Sequence, residues 1–191
     1  NIWTSTLEKG AKKPVMVWLH VRGFDEGSSI EHIAYDGENL SRYGDLVVVT
    51  LNHRLNILGY WDLSELGNSY WNTGNLGNAD IVAALRWIQD NIEEFGGDPD
   101  NVTLFGQSGG GMKVWSLMQT PKANCLFQKG IIQSGVIIDH FDSDRETNHA
   151  MIEELKRRGF ADGVRLETMP YEQLTALYSE IAEKLTAAGY R

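Results

Sequence analysis

Four short apolar segments set the strongest limit on how this chain folds, and each is bounded by glycine, asparagine or proline. They are residues 15–20, 46–51, 101–106 and 130–133, with the sequences VMVWLH, LVVVTL, NVTLFG and GIIQ. Runs of this length, rich in valine and isoleucine, are typical of strands buried on both faces. Because such strands occur in parallel sheets covered by helices, the pattern predicts an α/β protein.

Helical patterns separate these segments. Between the second and third strands, residues 78–95 place apolar side chains at helical spacing, and the sequence GGDP then ends the pattern. Further helices are predicted over residues 111–120, 144–159 and 171–188. We therefore expect a single partial domain over residues 1–191, with the core in 1–135 and a helical segment in 136–191.

Composition excludes several classes of function. The net charge of −9 disfavours nucleic acid and anionic membrane surfaces as partners. No apolar run has the length of a membrane span, and no cluster of His, Cys and Asp has metal-ligand spacing, so neither metal nor cofactor is expected. Cys125 is the single cysteine and no signal peptide is recognisable, which favours a reducing, cytoplasmic compartment.

A glycine-rich turn, residues 106–111 (GQSGGG), joins the third predicted strand to the next helix. Two chemistries use such a turn, one binding a phosphate and the other presenting a nucleophile. A phosphate loop requires lysine and then serine or threonine after its last glycine, whereas here Met112 intervenes before Lys113, and Val114 occupies the hydroxyl position. The nucleotide-binding interpretation is therefore disfavoured.

The nucleophile interpretation fits the same turn. Gly106 to Gly110 has the form G-x-S-x-G, with a strand before it and a helix after it. In such a turn the serine is strained and exposed, and the residues two positions either side approach so closely that only glycine fits. By itself the pentapeptide is weak, because a glycine-rich turn without chemistry has the same form.

The surrounding residues carry a much longer match. Residues 74–111 read GNLGNADIVAALRWIQDNIEEFGGDPDNVTLFGQSGGG. This stretch resembles the type-B carboxylesterase and cholinesterase family of α/β-hydrolases, whose pattern ends in G-D-P-x-x-V-T-[LV]-F-G-E-S-A-G-G. Residues 14–24 (PVMVWLHVRGF) resemble the family's P-V-M-V-W-I-H-G-G-G-F, and residues 132–135 resemble its later Q-S-G.

The resemblance implies a truncated α/β-hydrolase fold, with a mostly parallel sheet and helices on both faces. It implies a serine hydrolase that cleaves small carboxylic esters through an acyl-enzyme, with Ser108 as the nucleophile. Gly109 and Gly23 match the two backbone donors of the oxyanion hole. Arg54 and Asp80 match a charged pair that we expect to form a structural salt bridge.

Two departures from the family pattern affect the oxyanion loop, because Val21 and Arg22 replace two glycines. Val21 is β-branched and tolerates positive φ poorly. Arg22 falls on a position that contributes an oxyanion N–H. Three interpretations stay open: its backbone still donates, its guanidinium binds an acidic group of the substrate, or the hole is disabled or rearranged.

The general base has two candidate sources. The resemblance places the acid and the histidine of the triad beyond residue 191, whereas within the chain the best candidates are His140 and Asp142, which follow the fourth predicted strand. Four buried strands also leave apolar edges unpaired, so a complementary fragment or a homo-oligomer is an expected partner. The alternative function is a non-catalytic, hydrolase-like binding domain, against which the intact Ser108 turn argues.

Overall fold

The computed structural model describes residues 1–135 and 145–190. These residues form five strands: β1 (Ile2–Trp3), β2 (Lys13–Leu19), β3 (Val47–Thr50), β4 (Gly97–Gln107) and β5 (Lys129–Gln133). They also form seven α-helices: α1 (Glu38–Gly44), α2 (Asn56–Tyr60), α3 (Leu76–Asn91), α4 (Gly109–Met118), α5 (Arg145–Arg157), α6 (Val164–Glu167) and α7 (Tyr171–Ala187). No helix in the described ranges is long and apolar enough to span a membrane.

The strands form one sheet with the order β1-β3-β2-β4-β5. β3, β2, β4 and β5 are parallel, which confirms the predicted α/β class and the mostly parallel sheet. The count of four strands was wrong, since β1 adds a fifth at one edge and runs antiparallel to β3. At two residues, β1 is too short to produce an alternating pattern in the sequence.

One face of the sheet is covered by the two long helices that follow β3 and β4. Alternate side chains of β2 and β4, such as Val17 and Leu104, are fully buried on this face. They belong to one apolar cluster with Ile81 and Leu85 of α3 and Leu117 of α4. The periodicity of residues 78–95 is explained by this burial, because the apolar stripe of α3 faces the strands.

The opposite face packs against aromatic side chains and α1. Trp18 of β2 contacts the rings of Phe105 and Tyr35, with centroids 5.0 and 5.2 Å away. Gly37, which precedes α1, lies so close to Val48 of β3 that a Cβ there would approach it at 2.7 Å. Helices therefore cover both faces, as predicted.

The described residues divide into two compact units, the first comprising 1–55 and 77–135, and the second 56–76 and 145–190. In the second unit, α5 and α7 bury apolar side chains including Ile152, Leu155 and Ile181. Trp61 is buried there as well, with its ring edge against Tyr178. Residues 56–76 thus pack with the C-terminal helices, and the division at residue 135 stays a prediction.

Candidate active site

Ser108 lies at the carboxyl end of β4, on the residue immediately before α4. Its φ of 51° and ψ of −118° place it in a sparsely populated backbone region, and the residue is exposed. Its backbone N–H donates to the carbonyl oxygen of Gln133 in β5 at 2.9 Å, and its own carbonyl accepts from Met112 N–H at 3.1 Å. These bonds hold a non-glycine residue in a conformation that costs free energy of order 1–3 kcal/mol.

The glycines on either side of Ser108 are required by close backbone approach. A Cβ added to Gly106 would overlap the backbone of Gly110, and a Cβ added to Gly110 would overlap the carbonyl oxygen of Leu19 at the end of β2. Larger residues would force β4 and α4 apart. The sequence-based explanation of this turn, that only glycine leaves room two residues either side of the serine, is what the geometry shows.

The segment after β2, residues 20–24, lies against the first residue of α4. A Cβ added to Gly109 would overlap the backbone nitrogen and Cα of Gly23. The two backbone positions that the resemblance pairs are therefore adjacent in space. Within this segment positive φ falls on Arg22 (68°) and Gly23 (62°) and not on Val21, so the β-branched residue keeps an ordinary conformation.

The Arg22 side chain is held by two carboxylates of its own loop. Its Nη1 donates to Glu26 Oε1 at 2.8 Å, and its Nε lies 3.4 Å from Glu31 Oε1. The hydrogen bond to Glu26, followed by the charge of Glu31, raises the pKa of Arg22 above its ordinary value. The guanidinium is thus engaged with the protein on two sides.

Lys113 of α4 is fully buried beneath this loop. Its ammonium group donates to the carbonyl oxygen of His20 at 3.0 Å and lies 5.9 Å from the ring centre of Phe24. Burial lowers the pKa of Lys113 to about 8, although the charge of Glu31 acts in the opposite direction. From its sequence context Lys113 was recognisable only as a displaced phosphate-loop lysine. Its burial could have been predicted from helical spacing, because Lys113 lies on the same side of α4 as Gly110, Val114 and Leu117.

Two histidines stack beside this lysine. The rings of His20 and His53 are 4.9 Å apart and nearly parallel, and each Nδ1 is within hydrogen-bond distance of a backbone carbonyl oxygen. Both are buried, and burial followed by the charge of Lys113 lowers both pKa values, that of His53 to about 4. The two rings are therefore neutral at pH 7.

The remaining histidines with known positions serve local structure. His32 accepts from Ala34 N–H at the start of a short helical turn, and His149 lies 2.7 Å from Glu65. Within residues 1–135 and 145–190, no histidine hydrogen-bonds to Ser108. His140 and Asp142 lie outside the described residues.

Arg54 and Asp80 form the predicted salt bridge. Arg54 donates from Nε and Nη2 to the two Asp80 carboxylate oxygens, at 2.8 and 2.7 Å, and its backbone N–H donates to Asp80 as well. The hydrogen bond from Arg54 is the main cause that lowers the pKa of Asp80. The pair joins the segment after β3 to the start of α3. No cluster of three metal-ligating side chains occurs among the residues with described positions.

A mostly parallel sheet with an exposed, strained serine between an inner strand and a helix defines the chain as an α/β-hydrolase. The sequence profile described as "Carboxylesterase family" matches residues 1–188. The chain belongs to this family.

Individual relatives agree with the family assignment. The chain is 49% identical to the para-nitrobenzyl esterase of Bacillus subtilis over 122 residues, which is 64% of this chain and 24% of that protein. It is 47% identical to mouse (Mus musculus) carboxylesterase 3B over 138 residues, covering 72% of this chain and 23% of the relative. The chain thus spans about a quarter of the length of these curated relatives.

Solved structures show the same fold. A Clostridium hathewayi esterase, described as able to hydrolyse aliphatic aromatic polyesters, superimposes with a TM-score of 0.88 and 55% identity, over 98% of this chain and 38% of its own. A carboxylesterase of Geobacillus stearothermophilus superimposes with a TM-score of 0.80 and 41% identity, over 93% of this chain and 38% of its own.

Proposed function

We propose that this chain carries the nucleophile of a serine carboxylic-ester hydrolase, and that Ser108 is that nucleophile. Ser108 Oγ attacks the ester carbonyl and the alcohol leaves, which gives an acyl-enzyme. Water then attacks the acyl carbonyl and releases the carboxylic acid. Family membership supports this class of reaction, and the turn at Ser108 supports the assignment of the residue.

The observation that carries the proposal is the backbone of Ser108 itself. Positive φ also occurs at other residues of this chain, but Ser108 combines a φ of 51° with a ψ of −118° and close-packed glycines on either side. An ordinary turn would be more stable in a less strained conformation. The conformation of Ser108 directs the serine side chain outward at the end of a strand. The helix that begins at Gly109 adds the positive end of its dipole at this position.

The oxyanion would be bound by backbone N–H groups of Gly109 and Gly23. The closeness of these two residues supports the pairing, since a hole needs two donors converging on one oxygen. Arg22 contributes its backbone to the same loop. Its left-handed φ supports the interpretation in which the loop conformation of the family is kept although a glycine has been replaced.

The guanidinium of Arg22 is assigned a structural role. Its contacts with Glu26 and Glu31 neutralise it locally and argue against its binding an acidic group of the substrate. We therefore expect neutral esters to be preferred over anionic ones, as the net charge of −9 also favours.

The reaction also needs a general base. Two sources are compatible with the described residues: His140, oriented by Asp142, or a histidine that this chain does not contain, as the resemblance implies. His140→Ala separates them. In the first case it abolishes ester turnover by this chain, whereas in the second turnover requires that the missing histidine be supplied, and His140→Ala then has no effect. His32→Ala, at an exposed histidine, is the matched control.

Ester turnover by the purified protein tests the function. We expect hydrolysis of para-nitrophenyl and para-nitrobenzyl esters that Ser108→Ala reduces at least a thousandfold, because the covalent step is lost. Ser179→Ala, at an exposed position on α7, should leave turnover unchanged. An aliphatic aromatic polyester film extends the substrate panel, since a relative with 55% identity is described as hydrolysing such polymers.

A folded protein that neither turns over esters nor reacts with a fluorophosphonate would instead support the hydrolase-like binding domain. In that case Ser108→Ala would leave every measurable property except stability unchanged.

A further inference from the structure

We propose that Lys113 is a positioning residue that fixes the segment His20–Phe24 against the helix carrying Ser108. Its catalytic consequence rests on the proposed ester hydrolysis, whereas the mechanical role does not. The Lys113 side chain reaches both ends of this segment. Lys113 Nζ donates to the carbonyl oxygen of His20 at one end and lies 5.9 Å from the ring centre of Phe24 at the other.

The position of His20 explains why a donor is needed. β2 ends at Leu19, so the carbonyl of His20 has left the sheet ladder, and His20 is itself only 1% exposed. A buried carbonyl without a partner costs free energy, and Lys113 supplies the partner from α4. The bond spans 93 positions of sequence and joins two elements that close packing already brings together at Gly110 and Leu19.

The presence of lysine at this position is informative, because burying its charge costs free energy. Burying an ammonium group costs more than burying methionine or leucine at the same helical position. Lys113 is 0% exposed, and no described carboxylate lies within salt-bridge distance of it. An apolar residue here would avoid this cost but would leave the His20 carbonyl without its donor, so the geometry points to a role in fixing the loop.

By fixing the segment, Lys113 would keep the backbone N–H groups of Gly109 and Gly23 aligned. Gly109 belongs to the same helix as Lys113, and Gly23 belongs to the segment that Lys113 holds. A segment free to move away from α4 would carry the Gly23 N–H out of line with that of Gly109. Losing one oxyanion donor typically lowers the rate by about 10²–10³-fold.

Hydrogen–deuterium exchange of the full chain tests the mechanical role without any need for activity. In Lys113→Met, which keeps the apolar stem but has no donor, peptides covering residues 20–27 should exchange at least ten times faster than in the wild type. Exchange in α3 should not change. Lys113→Gln, a neutral side chain that keeps an N–H donor on a shorter stem, should give an intermediate rate. Lys122→Met, the same substitution at an exposed lysine, should match the wild type.

Equal exchange in the wild type and Lys113→Met would overturn the proposal. If Lys113→Met does not fold, Lys113→Gln decides, since faster exchange limited to the loop supports the proposal and wild-type exchange contradicts it. The second readout is the rate of fluorophosphonate reaction at Ser108, which should fall at least tenfold in Lys113→Met although its melting temperature does not fall below that of the wild type. A wild-type protein that fails to react would contradict the proposed function, while the exchange data would still decide whether Lys113 holds the loop.

Discussion

Gly109 and Gly23 are in such close backbone contact that a single methyl group on Gly109 would overlap the nitrogen of Gly23. The family pattern that the chain resembles has alanine at the position of Gly109 and glycines at those of Val21 and Arg22. The bulkier loop of this chain therefore coincides with a smaller residue at the start of α4. The close approach of the loop backbone to the helix therefore depends on the absence of a Cβ at Gly109.

Gly109→Ala should accordingly slow ester turnover by about 100-fold, because the added methyl displaces the loop that bears the Gly23 N–H. Replacing Arg22 by glycine in the same chain should restore part of the rate, since a loop without that side chain has more freedom to move aside. Gly10→Ala is the control for a glycine substitution that strains the backbone away from the loop, because its φ is +90° and a Cβ there meets nothing within 4 Å. Wild-type turnover by Gly109→Ala would show that the contact has no influence on the reaction.

Arg22 offers a test of substrate charge. Because its guanidinium is bound to Glu26 and Glu31, Arg22→Ala should leave unchanged the ratio of kcat/KM for an anionic ester to that for a neutral one. Para-nitrophenyl hemisuccinate and para-nitrophenyl butyrate form a suitable pair. The double variant Glu26→Gln, Glu31→Gln, which frees the guanidinium, should raise the ratio. A fall in the ratio for Arg22→Ala would instead show that Arg22 binds the substrate.

His53 should make the fold sensitive to acid. Its pKa is lowered from 6.5 to about 4, by burial first and then by the charges of Lys113 and His20, while Asp80 acts in the opposite direction. Between these pH values the unfolded state binds the proton and the folded state does not, so stability falls as the pH drops through this window. His53→Tyr, which removes the titrating group, should reduce the loss between pH 7 and pH 4.5 by about 2 kcal/mol.

Urea unfolding at the two pH values measures this difference. His32→Tyr, at an exposed histidine, is the control and should keep the wild-type dependence. The same acid dependence in His53→Tyr as in the wild type would contradict the assignment.

Lys113 should make the stability of the fold depend on pH under alkaline conditions. Its pKa in the folded chain is about 8, against 10.5 for an exposed lysine, with Glu31 the nearby carboxylate that opposes the shift. Above pH 8 the folded state releases this proton while the unfolded state retains it, so stability rises with pH. Between pH 7.5 and pH 9.5 the wild type should gain about 2 kcal/mol relative to Lys113→Met. If the free energy of unfolding changed equally with pH in the two proteins, Lys113 would not be buried as described.

The sequence was sufficient for the features that depend on local pattern. The strands β2 to β5, the stripe of α3 and the crowding around Gly106 each follow from a few neighbouring residues. The expectation that all four strands are buried on both faces was wrong for β5, whose residues are mostly exposed. The contact between Lys113 and His20 could not be predicted in the same way, because 93 positions separate the partners and neither residue type requires the other. The packing of Trp61 with α7 was missed for the same reason.

Mass-spectrometric mapping of a fluorophosphonate adduct tests the central claim most directly. In the folded wild-type protein the phosphonate is expected on the peptide containing Ser108 alone, and Ser108→Ala should carry no adduct at equal probe concentration. An adduct on another serine, or its persistence in Ser108→Ala, would contradict the assignment of Ser108 as the nucleophile.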